Sequence, residues 1–256
     1  ETSLQLPKLP EKNIIIIQSL YNPQDTHLFQ LFNLISTVKR LGTENITLYT
    51  PYFAYARSDR EILQFEAISA KTVLEILERL GVNHLITLDV HNPEIAKFTK
   101  NMKFTNIFPV ISVSKYFREK LNTLSGVTIV SPDKGAIERA KKLAKVLKLP
   151  YTYLDKIRDP ISGEVEIKTS GIEISGSTVI LVDDIVSTGS SLIQASSLLM
   201  VMGVTKIHYF ITHFLNTEAL DRIREISDGI VIASHSIPSL ISKISTIDDL
   251  CEVLSS

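Results

Sequence analysis

The chain has little of what marks a secreted, membrane or nucleic-acid-binding protein. Among its 256 residues there is one cysteine, Cys251, which excludes an intrachain disulfide and a cysteine-rich zinc site. A reducing compartment, by default the cytoplasm, is therefore expected. Lys+Arg 27 against Asp+Glu 28 leaves a net charge of -1. No global basic field favours nucleic acid or an anionic membrane surface, and neither partner is predicted.

Long apolar runs are also missing. The longest, such as Ile14–Ile17 and Val179–Val182, have the length of a strand and are far too short to cross a bilayer. No transmembrane helix is predicted. The start of the chain has no basic segment followed by an apolar stretch, so no signal peptide is predicted either.

What the chain does contain is a repeated structural unit. With 44% hydrophobic and 21% charged residues, it can bury a sizeable core and form one large or two smaller domains. Three times an amphipathic helix ends in an apolar residue plus glycine, at Gly42, Gly81 and Gly203, and a strand follows. Glycine supplies the left-handed conformation that ends such helices. Apolar strands alternating with helices predict an α/β fold whose parallel sheets are flanked by helices.

The pattern predicts two domains of this type. Strands are expected at Ile14–Gln18, Ile46–Tyr49, His84–Leu88, Val127–Val130, Tyr151–Tyr153, Val179–Val182, Lys206–Ile211 and Ile230–Ala233. Helices are expected at Thr26–Arg40, Ala67–Leu80, Ala136–Leu147, Leu192–Met202 and Thr217–Ser227. That is too many strands for one small sheet, and the polar stretch Asn122–Gly126 is the predicted boundary. We therefore expect one domain over residues 1–125 and a second over 126–240.

The segment Val179–Ser191, with the sequence VILVDDIVSTGSS, is the most informative for function. A buried strand ends in Asp183 and Asp184, and a Ser/Thr/Gly turn then opens a helix. Backbone N–H groups at such a turn bind phosphate, and glycine permits close approach of the backbone. The acid pair can accept hydrogen bonds from ribose hydroxyls. We interpret the segment as a phosphorylated-sugar site; the alternative is a strand end followed by an ordinary helix cap. The donors are Ser187, Thr188, Gly189, Ser190 and Ser191.

Other strands are also followed by polar loops, and ligands of open α/β sheets bind at the carboxyl ends of strands. Aromatic residues and then Arg57, Asp59 and Arg60 follow the strand that ends near Tyr49. They suit a nucleotide site, in which aromatics shape a base pocket and guanidinium groups contact phosphate oxygens. A solvated charged loop is the equally weighted alternative.

Two further strand ends carry single candidate residues. His91 follows the strand His84–Leu88, and Asp133 precedes the helix that begins near Ala136. A lone histidine at a strand end is more often structural, and Asp133 is in the position of a helix cap. Together the two residues would suit a metal-bound nucleotide.

A basic hairpin is predicted after the strand at Tyr151–Tyr153. A turn at Ser162-Gly163 and an alternating stretch Glu164–Lys168 favour a hairpin or mobile flap, which carries Lys156 and Arg158 on one face. The alternative is a solvated run of charged residues.

Taken together, these segments resemble ribose-phosphate diphosphokinases, or PRPP synthetases, archaeal members in particular. PRPP is 5-phosphoribosyl-1-diphosphate, and the VDDIVSTGSS segment is similar to the PRPP loop of the type I phosphoribosyltransferase fold. The family's Pro-Tyr-aromatic loop, strand-end histidine, Pro-Asp-x-Gly loop, Lys-x-Arg flap and PRPP loop occur in this order. In this chain they are Pro51–Arg60, His91, Ser131–Gly135, Lys156–Arg158 and Asp183–Ser191.

The resemblance implies a role for each matching residue. Arg57, Ser58, Asp59, Arg60 and His91 would bind ATP, and His91 and Asp133 would lie at the Mg²⁺ site. Lys156 and Arg158 would be catalytic, stabilising the transferring diphosphoryl group. Residues Asp183, Asp184 and Ser187 to Ser191 would bind ribose 5-phosphate. A homo-oligomer is implied as well, because the family builds its ATP site between subunits.

The sequence departs from the family at several positions. Ser58 replaces the usual Gln, Phe65 a usual Gly, and Ser190 a usual Gly of the phosphate loop. If position 190 requires positive φ, serine there would cost about 1 kcal/mol or more. Ser191 stands in for the usual Thr.

Both ends of the chain carry a further expectation from the family. Its members begin with a strand-helix unit and a Phe-x-Asp-Gly-Glu loop, and the resemblance matches Glu1 to the final Glu of that loop. The family pattern also implies that residues 241–256, including the helix Ile247–Leu254, pack back on the first domain.

Three functions remain open from the sequence. The first is transfer of the diphosphoryl group of Mg-ATP to ribose 5-phosphate. The second is a phosphoribosyltransferase that consumes PRPP, for which the Arg57–Arg60 loop would not be needed. The third is a catalytically weak or inactive regulatory subunit that resembles the enzyme.

Overall fold

The computed structural model describes residues 3–158, 165–169, 174 and 176–255, with the backbone alone at 155–158 and 165–169. Its contacts divide the chain into two compact units, Glu1–Ile107 and Phe108–Ser256. The described helices do not combine the length and apolar character needed to cross a bilayer.

The first unit is a four-stranded parallel sheet with strand order β1-β2-β3-β4. The strands are β1 (Asn13–Ile17), β2 (Asn45–Thr50), β3 (His84–Leu88) and β4 (Lys103–Ile107). The helices are α1 (Gln24–Arg40), α2 (Ser69–Arg79) and a 3₁₀ helix, Pro93–Phe98. Leu31 and Ile35 of α1 and Leu74 and Leu77 of α2 pack in one core with Leu48.

The second unit has a seven-stranded sheet with strand order β11-β10-β9-β8-β5-β6-β7. Its strands are β5 (Val127–Ser131), β6 (Tyr151–Arg158), β7 (Val165–Thr169), β8 (Thr178–Val186), β9 (Lys206–Phe214), β10 (Val231–Ser234) and β11 (Ser242–Ile244). Its helices are α3 (Val110–Lys120), α4 (Ile137–Leu147), α5 (Ser190–Val201), α6 (Glu218–Ile226) and α7 (Ile247–Ser255), with a 3₁₀ turn at Lys134–Ala136. Among the described strands of this unit, β7 pairs antiparallel with β6, and the other neighbouring strands pair parallel.

Strand β8 lies at the centre of this sheet, between β5 and β9. Val179 and Leu181 pack in the cluster that contains residues of α5 and α6. Ile180 and Val182 pack in the other cluster, which contains residues of α3 and α4. A strand covered on both faces needs a continuous apolar run. In β8 this run is Val179–Val182, and the strand continues through Asp183 and Asp184 to Val186, beyond the predicted end of the strand.

The predicted α/β fold class is confirmed, including the three helix-strand units. The chain passes through positive φ after α1, α2 and α5, at Gly42 (101°), Gly81 (96°) and Gly203 (93°). The hairpin predicted from the 155–168 segment is present as the antiparallel pair β6 and β7. Its predicted turn, Ser162-Gly163, lies outside the described residues.

Among the described elements, β4, α3, β11 and the 3₁₀ helix Pro93–Phe98 were not predicted. Strand β4, with the sequence KFTNI, is mostly half-exposed at the edge of its sheet and lacks a clear apolar alternation. Strand β11 has only three residues. Short elements that tertiary pairing stabilises leave a weak local pattern.

The division into units differs from the predicted boundary at residue 125. Helix α3 lies before that boundary but packs with α4 and β5 in a core that includes Phe117, Ile129 and Leu143. Helix α7 contacts α3, as Asp249 accepts hydrogen bonds from the N–H groups of Ile111 (2.9 Å) and Ser112 (3.2 Å). The final helix therefore packs on residues of the predicted first domain, yet both helices belong to the second compact unit.

We predict that this contact holds α7 in place. The Asp249 carboxylate is buried, 3% exposed, and also accepts from the Ser112 hydroxyl (2.5 Å). Asp249→Ala leaves these donors unsatisfied and is expected to lower the free energy of unfolding by about 2 kcal/mol. Asp248→Ala, at the exposed neighbouring position, is the matched control and should change stability by less than about 0.5 kcal/mol. Chemical denaturation monitored by circular dichroism measures both; equal effects would contradict the prediction.

Candidate functional site

In the first unit, a buried carboxylate organises the loop that follows β2. The Asp59 side chain is 5% exposed and lies 3.2 Å from Nε of Arg60. Its second oxygen accepts a hydrogen bond from the Asn92 side-chain amide at 2.5 Å. Burial alone would raise the pKa of Asp59, but the bond from Asn92 and the charge of Arg60 outweigh it and lower the pKa. Asp59 therefore stays ionised.

Asn92 connects this loop to the end of β3. Its side-chain oxygen accepts from the N–H of Glu94 (3.1 Å) at the start of the 3₁₀ helix, while its amide donates to Asp59. Asn92 was not predicted as a site residue. The sequence signal was an asparagine directly before Pro93, which is typical of a helix cap. The Asp59 contact joins the Arg57–Arg60 loop to the loop that carries His91.

The other predicted residues of this loop take different positions. Arg57 and His91 are exposed, and the Arg60 side chain is 71% exposed, so these groups are accessible to an anion. Phe53 packs in the hydrophobic core and cannot shape a base pocket, whereas Tyr52 and Tyr55 are half-buried.

Ser58 closes the loop onto α2. Its hydroxyl donates to the carbonyl of Ala67 (3.1 Å) and accepts from the N–H of Ser69 (3.2 Å). Both bonds lie within the chain segment that connects β2 to α2.

In the second unit, the acid pair at the end of β8 is compensated by an arginine. Nη2 of Arg139, on α4, lies 3.4 Å from Oδ2 of Asp184, and the two side chains are 11% and 8% exposed. The Asp184 N–H donates to Oδ1 of Asp183 (3.0 Å). Burial and the adjacent Asp184 carboxylate raise the pKa of Asp183 well above its usual range, while Arg139 opposes this rise and Asp133 adds to it. Asp133, Arg139, Asp183 and Asp184 therefore form one electrostatic cluster, and Arg139 was missed.

Asp133 also has the capping role considered for it. Its exposed carboxylate accepts from the N–H of Ala136 (3.2 Å) at the start of the 3₁₀ turn before α4. Ser131 donates to the Asp133 carbonyl at 2.8 Å. The cap orients this carboxylate just after the carboxyl end of β5, the strand that pairs with β8.

The predicted phosphate loop connects β8 to α5. The hydroxyl-bearing residues Ser187, Thr188, Ser190 and Ser191 are exposed, whereas Gly189 is buried. The hydroxyls of Thr188 and Ser190 lie 3.1 Å apart. A helix leaves its first N–H groups without intrahelical partners, so the twelve-residue helix α5 presents donors and a favourable dipole beside four hydroxyls. This arrangement suits a phosphate dianion.

Lys156 and Arg158 lie on β6, opposite Ile167 and Val165 of β7. Their side chains lie outside the described part of the structure, so their predicted catalytic role stays a prediction. Among the described residues, no group of three or more His, Cys, Asp and Glu side chains is placed to hold a metal ion. His91 belongs to the first unit and Asp133 to the second.

Two family models match the chain, one over most of the first unit and one over most of the second. A model for the N-terminal domain of ribose phosphate pyrophosphokinase matches residues 4–81, and a phosphoribosyl transferase domain model matches residues 104–233. The ribose-phosphate pyrophosphokinase of Saccharolobus solfataricus is 34% identical over 251 residues, 97% of this chain and 85% of that protein. The chain belongs to the ribose-phosphate pyrophosphokinase family.

Two further relatives agree with this assignment. The ribose-phosphate pyrophosphokinase of Pyrococcus abyssi is 35% identical over 238 residues, which cover 93% of this chain and 81% of that protein. The crystal structure of phosphoribosylpyrophosphate synthetase from Mycobacterium smegmatis has a TM-score of 0.77 at 26% identity, covering 91% of this chain and 76% of that one. The similarity to ribose-phosphate pyrophosphokinases therefore extends through both units.

Two departures from the usual pyrophosphokinase sequence have structural outcomes. Ser190 is the first residue of α5, and the positive φ of the phosphate loop, 78°, lies at Gly189 instead. The expected cost of serine at position 190 is therefore absent. Phe65 has φ 70° and is 89% exposed, so the chain keeps a conformation typical of glycine with an aromatic residue in its place.

We predict that Asn92 stabilises the loop through Asp59. Asn92→Ala removes a hydrogen bond to a buried carboxylate and should lower the free energy of unfolding by about 2 kcal/mol. Asn101→Ala, at an exposed position of the same unit, is the control and should have little effect. Thermal unfolding checks the pair, and an Asn92→Ala protein as stable as the control would contradict the role of Asn92.

We also predict that Gly189 cannot be replaced without displacing the phosphate loop. A Cβ at Gly189 would lie 2.8 Å from Cβ of Ala219 on α6, and φ is +78°. Gly203→Ala is the matched control, since its φ is +93° and nothing lies within 4 Å of a Cβ there. Both substitutions carry about 1–2 kcal/mol of backbone strain, but only Gly189→Ala adds a clash and should weaken phosphate binding. Titration with inorganic phosphate measures the difference, and equal binding by both variants would refute it.

Proposed function

We propose that this protein is a ribose-phosphate diphosphokinase, which transfers the β,γ-diphosphoryl group of Mg-ATP to the 1-hydroxyl of ribose 5-phosphate. The products are PRPP and AMP. One observation carries the proposal: the chain contains both the acid pair with its phosphate loop and the Arg57–Arg60 loop, which a hydrogen bond joins to the His91 loop. A protein that only consumed PRPP would not need the Arg57–Arg60 loop.

The second unit supplies the features that ribose 5-phosphate requires. The exposed hydroxyls and the N-terminus of α5 bind the 5-phosphate, and Gly189 lets the backbone approach it. Asp183 and Asp184 stand at the preceding strand end, where they accept hydrogen bonds from the ribose hydroxyls. Phosphate and ribose are thus recognised by adjacent parts of one strand-loop-helix segment.

The first unit supplies the features that a nucleotide requires. Arg57 and Arg60 are accessible, and a guanidinium group contacts phosphate oxygens through two parallel donors. Asp59 contributes indirectly, because its carboxylate is engaged with Arg60 and Asn92. His91 follows Leu88 on the next strand and is exposed for contact with the nucleotide.

The chemistry asks more for alignment than for covalent catalysis. The 1-hydroxyl oxygen forms a bond to the β-phosphorus of ATP and releases its proton to solvent, the bond from that phosphorus to the α,β-bridging oxygen breaks, and AMP leaves with that oxygen. Positioning and charge neutralisation account for most catalysis of this kind. Lys156 and Arg158 bring two cations on the β6–β7 hairpin, where they stabilise charge on the transferring group.

Mg²⁺ fits the donor set of this chain. The cation prefers hard oxygen ligands and is usually held by one or two carboxylates together with substrate phosphates. The exposed carboxylate of Asp133 provides such an oxygen. Asp133 would hold the ion with the phosphates of ATP. His91, in the first unit, is the other residue for which the resemblance implies a metal role. Bound there, Mg²⁺ neutralises phosphate charge during transfer.

Homo-oligomeric assembly and a cytoplasmic location belong to the same proposal. The family relationship supports the first, and the single, exposed cysteine supports the second. Size-exclusion chromatography with light scattering tests assembly.

The decisive assay follows AMP and PRPP formation from Mg-ATP and ribose 5-phosphate. Lys156→Ala and Arg158→Ala should each lower kcat by about 10²–10³-fold, as expected when a cation that stabilises the transition state is lost. Lys142→Ala, which removes an exposed lysine of α4, should leave kcat unchanged.

Other outcomes would identify a different function. Turnover that is indifferent to both hairpin substitutions would sink the catalytic assignment. Nucleobase-dependent release of diphosphate from PRPP would identify a phosphoribosyltransferase. A folded protein that binds a paralogue and shows no turnover would identify a regulatory subunit.

A further inference from the structure

We propose that Arg139 is a positioning residue for ribose 5-phosphate, which acts by fixing the Asp184 carboxylate of the acid pair. This inference rests on the proposed function, since it assigns a role within the same sugar site. Arg139 is a positioning residue rather than a catalytic one because it acts through Asp184.

The burial of Arg139 is the first observation behind the proposal. Other basic residues of α4, Lys141 and Lys142, are exposed, as expected for the solvent side of a surface helix. The Arg139 side chain is 11% exposed and the Asp184 side chain 8%. Taking two charges out of water costs several kcal/mol per ion, which their attraction offsets only with good geometry. A buried ion pair therefore contributes little to the free energy of unfolding, and stability alone does not account for this one.

The second observation is how the pair connects to the rest of the site. The backbone of Asp184 is fixed because β8 is held between β5 and β9. Its carboxylate would still be able to rotate about the side-chain torsions, and the Arg139 guanidinium at 3.4 Å restricts that rotation. The Asp183 carboxylate is oriented separately, because it accepts from the backbone N–H of Asp184 (3.0 Å). The acid pair is therefore held at two points, Asp184 by Arg139 and Asp183 by the strand backbone.

The third observation is the local balance of charge. Asp183 and Asp184 are adjacent, and both Asp133 and Arg139 lie close enough to act on Asp183. Burial and the Asp184 carboxylate raise the pKa of Asp183, and the charge of Arg139 opposes that rise. Arg139 thus favours the ionised form of the acid pair. The carboxylates can then accept from neighbouring hydroxyls of one ribose ring.

Substitution of Arg139 separates this role from a purely structural one. Arg139→Gln should raise the KM for ribose 5-phosphate by about tenfold or more, because the buried Asp184 carboxylate loses its ion pair with Arg139. The KM for ATP should rise less than the KM for ribose 5-phosphate, because Arg139 pairs directly with Asp184 of the sugar site. Lys141→Gln, which removes a charge from the same helix where it is exposed, should leave both constants unchanged.

Arg139→Lys keeps the test valid if the glutamine variant folds poorly. Lysine retains the charge but lacks the planar fork of arginine, so a folded protein with an intermediate KM for ribose 5-phosphate is expected. If Arg139 served stability alone, the variants would lose thermal stability and active fraction while the KM for ribose 5-phosphate stayed at the wild-type value. That result would overturn the proposal.

Calorimetric titration with ribose 5-phosphate distinguishes this failure from failure of the proposed function. A wild-type protein that does not bind ribose 5-phosphate would contradict the sugar site itself. A wild-type protein that binds it, with Arg139→Lys binding equally tightly, would leave the site intact and refute the positioning role. Tight binding by the wild type and weaker binding by Arg139→Lys supports both.

Discussion

The burial of both faces of β8 along Val179–Val182 is the constraint on which the rest of this structure depends, because it leaves the acidic side chains to the residues that follow this run. Val179–Val182 of β8 are fully enclosed, and Asp183 is the first acidic residue that the strand admits. Strands β2, β3 and β5 likewise end in the loops that hold Asp59, His91 and Asp133. Since parallel strands point the same way, chemistry collects along one edge of each sheet.

In both units a buried carboxylate near that edge is paired with a neighbouring donor side chain. A carboxylate near a strand end is partly removed from water and must be compensated. In the first unit Asp59 is held by Arg60 and Asn92, and in the second Asp184 is held by Arg139. The compensated carboxylate orders its loop or its neighbour, while exposed groups nearby remain available for ligands.

The sequence predicts the candidate site better where the signal is local. The acid pair, the phosphate loop and the basic hairpin follow from apolar runs and the residues directly after them. Arg139 and Asn92 could not be found in this way, because each meets its partner across elements that the fold alone brings together. The same reason explains the difference in domain division. Helix α3 belongs to the second unit because it packs with α4 and α7, and the composition near residue 125 does not indicate this packing.

The loop around Phe65 offers a practical consequence. Its turn is fixed by carboxylates on either side: Glu66 accepts from the N–H groups of Ile62 and Leu63, and Glu61 accepts from the N–H of Phe65. The aromatic ring makes no contribution to that turn and extends into solvent. Because the chain contains no tryptophan, Phe65→Trp would introduce a single indole in the segment that follows Arg60. Its emission, excited at wavelengths that the 8 tyrosines do not absorb, would report events at this loop.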